Sequence, residues 1–378
     1  MMKRRFEDIA GVTLLIVCAL APSLPAMRGE VPARTDAIAE LAPWRADGVA
    51  SSDSAVSSLD RLEGITYLPA YAYIAERGNS FSDLLWNPLE ERGRPFFATW
   101  YTRCLSPFTL PFYIMPLGAA LTVSAVLKLL VAGLAAYYAA RRLAFHPPFA
   151  LACAVAHQWS AGLLLAVHHP AADAAPWFPL FLLALERIAL GQNRYWPFAA
   201  LFIALPALGG GAETFVHLVL TGLVYIGVRL FRAVTPKTMF RTAGVFLGSA
   251  AAGLFMIAIQ AYPYVEYLRN SYLLHSPDAQ ASLIENLAAL LLPTIDRPES
   301  DVAGLFHLGP VLCLLLVFWF ALRRTQPGLF RRRIDSMVVT AGACGLAAAL
   351  LPLAAAQTAW LGVPFLVALA GAAAAETW

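Results

Sequence analysis

The sequence predicts an all-α fold, a polytopic transmembrane helix bundle of about ten helices with one long extracytoplasmic loop after the first. Composition is the first reason: of 378 residues, 59% are hydrophobic and 13% charged, against roughly 45–50% and ~25% in soluble domains. Mean hydropathy is +0.64. The second is the arrangement, because the apolar residues gather in long blocks rather than at the short periods of water-facing helices or strands. The third is charge: with 27 Lys+Arg against 24 Asp+Glu there is no broad basic surface, which excludes nucleic acid as a partner and leaves the lipid bilayer.

A bilayer-spanning helix needs about 20 mostly apolar residues. Ten stretches qualify: 9–26, 117–140, 149–167, 174–190, 195–208, 215–231, 242–262, 305–322, 336–353 and 358–375. The first follows Lys3, Arg4 and Arg5 and ends at Ala26, a pattern that also fits a signal peptide. An uncleaved anchor is preferred, since the multispanning remainder needs an orienting first helix. With the N-terminus cytoplasmic, Arg141, Arg142, Arg194, Arg229, Arg232, Lys237, Arg241, Arg323, Arg324 and Arg331 to Arg333 all fall inside. The outer loop 263–304 holds only Arg269 and Arg297, as the positive-inside bias requires.

The organisation that follows is an anchor (1–26), an extracytoplasmic loop ending in an interfacial or re-entrant helix (27–116), a helix bundle (117–262), a second outer loop (263–304) and C-terminal spans (305–378). Segment 27–106 has 8 Arg and 11 Asp+Glu and is too polar for lipid. Within it, 32–58 reads as one short helix and a loop. From there onward Tyr67, Tyr71, Tyr73, Phe81, Trp86, Phe96, Phe97, Trp100 and Tyr101 lie among prolines and glycines, which suits a headgroup-level surface. Pro107, Pro111 and Pro116 punctuate 106–116, the interfacial helix. Five cysteines show no CxxC spacing, and only Cys104 lies outside the apolar blocks, facing the outside, so no disulfide framework is expected.

Leu85-Trp-Asn-Pro88, then Gly93-Arg-Pro-Phe-Phe97 and Leu105-Ser-Pro-Phe108, resemble the first outer loop of the YfhO family of bacterial polytopic membrane proteins. In register follow Ala174-Ala-Pro-Trp-Phe-Pro179 with Leu185-Glu186-Arg187, Gly209-Gly-Gly-Ala-Glu213, and Ala258-Ile-Gln-Ala-Tyr-Pro263 with Glu266. The resemblance runs over 62–309 and rests on the order of the motifs. That family is similar to type-C glycosyltransferases, which use polyprenyl-phosphate sugars and carry an acid in the first outer loop. It therefore implies a type-C glycosyltransferase-like fold in the bacterial inner membrane and a polyprenyl-phosphate-linked sugar as partner. Two departures stand out. The family's Gly-Asp falls here on Arg61 and Leu62, with Asp60 and Glu63 flanking it; and family members continue further, which reads as a truncated or split member.

Glycosyl transfer needs a base to activate a sugar hydroxyl and cationic support for a departing phosphate. Glu63 is preferred over Asp60 as the base, because Gly64 frees the backbone beside it and Tyr67 can stack on a sugar. Further candidates at the outer face are Trp86, Asn87, His168, His169, Asp173, Glu213 and Glu266, with Arg94, Arg103 and Lys128 as the cations. Each has a structural alternative. His168 and His169 mark a helix end, Asp173 can cap the next helix, Glu213 adjoins three glycines that make a turn as readily as a ligand approach, and Glu266 can pair with Arg269. Lys128 sits mid-helix, where a charge costs about 2.5–3.5 kcal/mol, so it must face the bundle interior or a wet cavity. His157 and His217 read as satisfied interior residues. No cofactor is implied; a divalent cation at the outer acids is left open, without zinc-like spacing. Against transfer stand two other readings, a transporter or flippase of a lipid-linked sugar and a non-catalytic remnant.

Overall fold

The computed structural model describes residues 2–30, 33, 63–90, 92–160, 163–164, 166–211, 215, 218–219, 221–223, 225–227 and 236–270. Among the described residues the structure is mostly helical, with one isolated β-bridge and no strand. The predicted spans 305–322, 336–353 and 358–375, together with Asp60, Glu213 and His217, lie outside them.

Helix α1 (Met2–Leu20) leads into a segment containing a π-helical turn at Glu63–Tyr67, α2 (Leu68–Arg77) and α3 (Phe81–Leu85). Next come α4 (Leu117–Arg142), α5 (Pro147–Gln158), α6 (Phe178–Ala189), α7 (Trp196–Gly210) and α8 (Pro236–Asn270). Two described helices, α4 and the Phe240–Asn270 part of α8, are long and apolar enough to cross a membrane. At 1.5 Å per residue α4 extends ~39 Å, more than a ~30 Å hydrocarbon core. Ala120, Ala125, Ala132, Gly133, Ala136 and Ala140 keep its buried surface thin, which lets α1 and α5 pack closely against it. At this crossing a Cβ on Gly133 would stand 2.9 Å from the Gln158 amide, and that amide donates to the Leu15 carbonyl at 3.0 Å.

Two predicted spans change shape. The 149–167 and 174–190 stretches become α5 and α6 of 12 residues each, ~18 Å long and too short to cross alone. Between them the chain makes 3-10 turns at Pro170–Asp173 and Ala175–Trp177. Pro170 and Pro176 lack the N–H that a continuous helix requires. Irregular backbone of this kind is tolerated in an interior only where its polar groups find partners. Here His157 Nε2 lies 3.0 Å from the Ala175 carbonyl, and Tyr71 donates to the His168 carbonyl at 2.7 Å.

The aromatic stretch also differs from its surface reading. Tyr67, Tyr71, Tyr73, Phe96, Phe97 and Phe112 are buried in one core with Ala120 and Leu121 of α4, while Phe81 and Trp86 remain exposed. The prolines and glycines fold the stretch back so that its rings meet one another instead of lipid headgroups. The expected interfacial helix at 106–116 is a 3-10 helix, Pro107–Tyr113, whose first turn is capped by Ser106. Ser124 of α4 donates to its Phe108 carbonyl at 2.7 Å, which fastens it to the bundle.

Candidate functional site

Three ionisable side chains meet in the interior with no exposed surface: Arg103, Lys128 and Asp173. Each arrives from a different piece of local structure. Arg103 follows the 3-10 turn Trp100–Thr102 with φ 44, a left-handed conformation that a non-glycine residue adopts at some strain. Thr109 holds this bend by donating to the Arg103 carbonyl at 2.8 Å. Lys128 projects from α4 at ~17 Å from its N-terminal end, and Asp173 comes from the irregular link between α5 and α6.

Asp173 Oδ1 accepts from Arg103 Nη1 at 2.6 Å and lies 2.6 Å from Lys128 Nζ. Ser106 Oγ donates a short hydrogen bond to Oδ2. Lys128 also donates to the Val167 carbonyl at 2.5 Å. Burial alone would raise the Asp173 pKa, but the Arg103 and Lys128 charges outweigh it and hold the carboxyl below the usual carboxylate range. The Arg103 guanidinium stacks 4.2 Å over the Tyr71 ring. Its Nε and Nη2 are buried with no hydrogen-bond partner among the described residues, a cost that natural interiors seldom carry.

A partly exposed edge adjoins this triad. Tyr67 Oη and His169 Nε2 are 3.0 Å apart, their rings edge to face at 4.8 Å. Burial first, then the Lys128 and Arg103 charges, push the His169 imidazole down to about 4, so the ring is neutral at pH 7. Glu63 is partly buried, and its charge reaches the Tyr71 phenol, which burial already holds above its ordinary range. Glu63 also acts electrostatically on the Lys128 ammonium.

Seven residues singled out from the sequence thus converge: Glu63, Tyr67, Arg103, Lys128, His168, His169 and Asp173. His168 contributes its backbone carbonyl, through Tyr71. Asp173 does not cap α6, whose N-terminus has no side-chain cap, because its carboxylate is taken by the two cations. The first of the three glycines before Glu213 serves Asp173: a Cβ on Gly209 would stand 2.3 Å from Asp173 Cβ, so the bare backbone admits that side chain.

The remaining candidates lie elsewhere. Asn87 and Arg94 form the β-bridge, with backbone hydrogen bonds of 2.8 and 2.9 Å, and Asn87 Oδ1 accepts from Leu89 N at 2.9 Å. Gly93, at φ +115, lies so close to Trp86 that a Cβ would meet its ring at 2.6 Å. The two motifs of the first loop therefore build a turn. Arg94 bonds Glu90 and Tyr267, each at 2.9 Å, and joins the loop to the end of α8. Glu266 is exposed on α8, with no ion pair to Arg269 among the described residues.

Sequence reasoning missed Ser106 and Tyr71. The first had a signal in Ser106-Pro107, an N-cap followed by Pro at the first helical position; the second sits four residues after Tyr67, on the same helical face. Among the described residues no group of three His, Cys, Asp or Glu side chains is arranged to hold a metal ion. Comparison with known proteins found no matching family model, no matching curated protein and no matching solved structure.

Proposed function

We propose that this chain is an integral membrane glycosyltransferase-like protein that moves a sugar from a polyprenyl-phosphate carrier to an acceptor on the outer face of the bacterial inner membrane. The observation that carries the reading is the buried triad of Arg103, Lys128 and Asp173, two cations on one carboxylate, with Glu63 at its margin. Counted by formal charge the triad has one cation in excess of its carboxylate, and two guanidinium nitrogens face no acceptor among the described residues. A carrier phosphate supplies both the missing charge and the missing acceptors, and Arg suits that role through its planar fork of donors.

In this scheme the acceptor hydroxyl oxygen attacks the anomeric carbon and the bond from that carbon to the phosphate oxygen breaks. The hydroxyl proton passes to Glu63, while the phosphate leaves with the bonding pair and is stabilised by Arg103 and Lys128. Neutral His169 and the Tyr67 hydroxyl stand beside them to hydrogen-bond a sugar. The broken pair α5 and α6 supports the reading too, since discontinuous helices at membrane depth are a recurrent way of building sites for charged ligands.

One observation favours a second reading, a non-catalytic protein in which the triad only fastens the 63–113 segment to the bundle: all three charges are sealed. Binding separates the two. Purified chain titrated with polyprenyl phosphate is expected to gain thermal stability, a gain lost in Arg103→Gln and weakened in Lys128→Met. No shift with wild-type protein would leave the fastening role alone.

A further inference from the structure

The opposite end of the bundle, formed by the C-terminal ends of α4 and α6 and the start of α7, carries a feature that the transferase reading does not use. A cavity of about 620 Å³ opens between these helices, lined by Leu134 and Tyr138 of α4, Leu183 and Ala184 of α6, and Phe198 of α7, with Arg194 at its mouth. Its volume falls within the ~300–1,000 Å³ typical of small-molecule sites. The α4 lining from Val131 to Tyr138 rises ~10 Å, enough for about half an extended acyl chain.

The mouth is cationic and aromatic. Arg194 is exposed, its guanidinium 5.6 Å from the centre of the Tyr195 ring. Arg142 lies 5.0 Å over Tyr138, a ring that lines the cavity, and Arg187 donates to the Arg142 carbonyl at 3.0 Å. None of these three arginines is paired with a carboxylate among the described residues. The nearby acids are engaged elsewhere, Asp8 with Arg141 at 2.8 Å and Glu186 with Tyr225 at 2.7 Å. Tyr138, Trp196 and Phe198 stay exposed around the opening, the mixture of rings and cations that marks a lipid headgroup level.

An apolar cavity flanked by arginines that have no carboxylate partner among the described residues is complementary to an amphiphile with an anionic head. We propose that this cavity binds the headgroup-proximal half of one acyl chain of an anionic membrane phospholipid, whose phosphate rests on Arg194 and Arg142. The assignment does not depend on the transferase reading, because it uses none of the same residues.

The test uses the full chain in lipid nanodiscs of mixed phosphatidylglycerol and phosphatidylcholine, with a trace of either lipid carrying a photoreactive group near the middle of one acyl chain. The phosphatidylglycerol probe is expected to label peptides of α4, α6 and α7. Labelling should fall about fivefold in Arg194→Gln and further in Arg142→Gln/Arg194→Gln, since each surface arginine contributes about that factor toward anionic lipid. Ala184→Phe, which fills the cavity, should abolish it. Both arginines are at the surface, so their replacement leaves folding intact and the result readable even if Ala184→Phe fails to fold. Equal labelling by both lipids, or labelling unchanged in the double arginine variant, would overturn the proposal. So would a photoreactive residue at Leu134 that cross-links to segment 305–378 in place of lipid.

Discussion

Replacing Asp173 by Asn keeps the shape of the side chain and removes the carboxylate bonded to two sealed cations. Arg103 and Lys128, both 0% exposed, would then face each other across a neutral amide that cannot satisfy both. Breaking a buried ion pair by deleting one partner costs about 3–5 kcal/mol. For a chain of this size that corresponds to a midpoint lower by about 3–10 °C, taking ~1–2 °C per kcal/mol. Lys128→Met acts in the other direction on charge balance: it leaves one cation on one carboxylate, and its main loss is the donor to the Val167 carbonyl, about 1 kcal/mol. The double variant Asp173→Asn/Lys128→Met should therefore be more stable than Asp173→Asn alone, a coupling of roughly 2 kcal/mol that a thermal-unfolding cycle in one detergent would measure. Wild-type stability in Asp173→Asn, or a double variant worse than either single, would refute the argument that the carboxylate compensates both charges.

Gly209→Ala is expected to be nearly as damaging as Asp173→Asn, because its Cβ would stand 2.3 Å from Asp173 Cβ; the yield of folded protein on gel filtration measures it. Stability should fall as pH drops from about 6.5 to about 4: His169 is pushed down to about 4 in the fold, so in this window the unfolded chain binds the proton that the folded chain refuses. In His169→Gln, unfolding midpoints recorded against pH should show a flatter acid limb. Cys104 is 6% exposed and burial pushes its thiol pKa up, so a membrane-impermeant maleimide should leave it unmodified on intact and lysed cells alike and react only after denaturation.

Helical class and the longest apolar blocks were legible, since α4 matches the predicted 117–140 within two residues and its alanines alone specify close neighbours. The broken middle of the bundle was not. Hydropathy reads Phe149 to Leu190 as two full spans, because the residues of the irregular link are themselves apolar and only Pro170, Asp173 and Pro176 mark the interruption. Lys128 was readable as an interior charge from its cost in lipid, and it is buried. Its partner was not readable, because Asp173 lies 45 positions away in the chain and had an equally good local role as a helix cap. The first-loop motifs carry a structural role that their sequence did not reveal: Trp86, Asn87, Gly93 and Arg94 are spaced for a tight turn, closed by the bridge between Asn87 and Arg94 and by the packing of Trp86 on the bare Gly93 backbone.

The most direct measurement is transfer of radiolabelled sugar from a polyprenyl-phosphate donor by the purified full chain, comparing wild type with Glu63→Gln, Asp60→Asn and the double variant. Loss of a general base typically lowers the rate about 10²–10⁴-fold, and the yield of folded protein on gel filtration, recorded for each variant, separates such a loss from misfolding. The account predicts transfer by wild type, a fall of at least about 10²-fold in Glu63→Gln, and near wild-type turnover in Asp60→Asn. Transfer that survives in all three variants, or wild-type protein that transfers no sugar from a donor it binds, would contradict it.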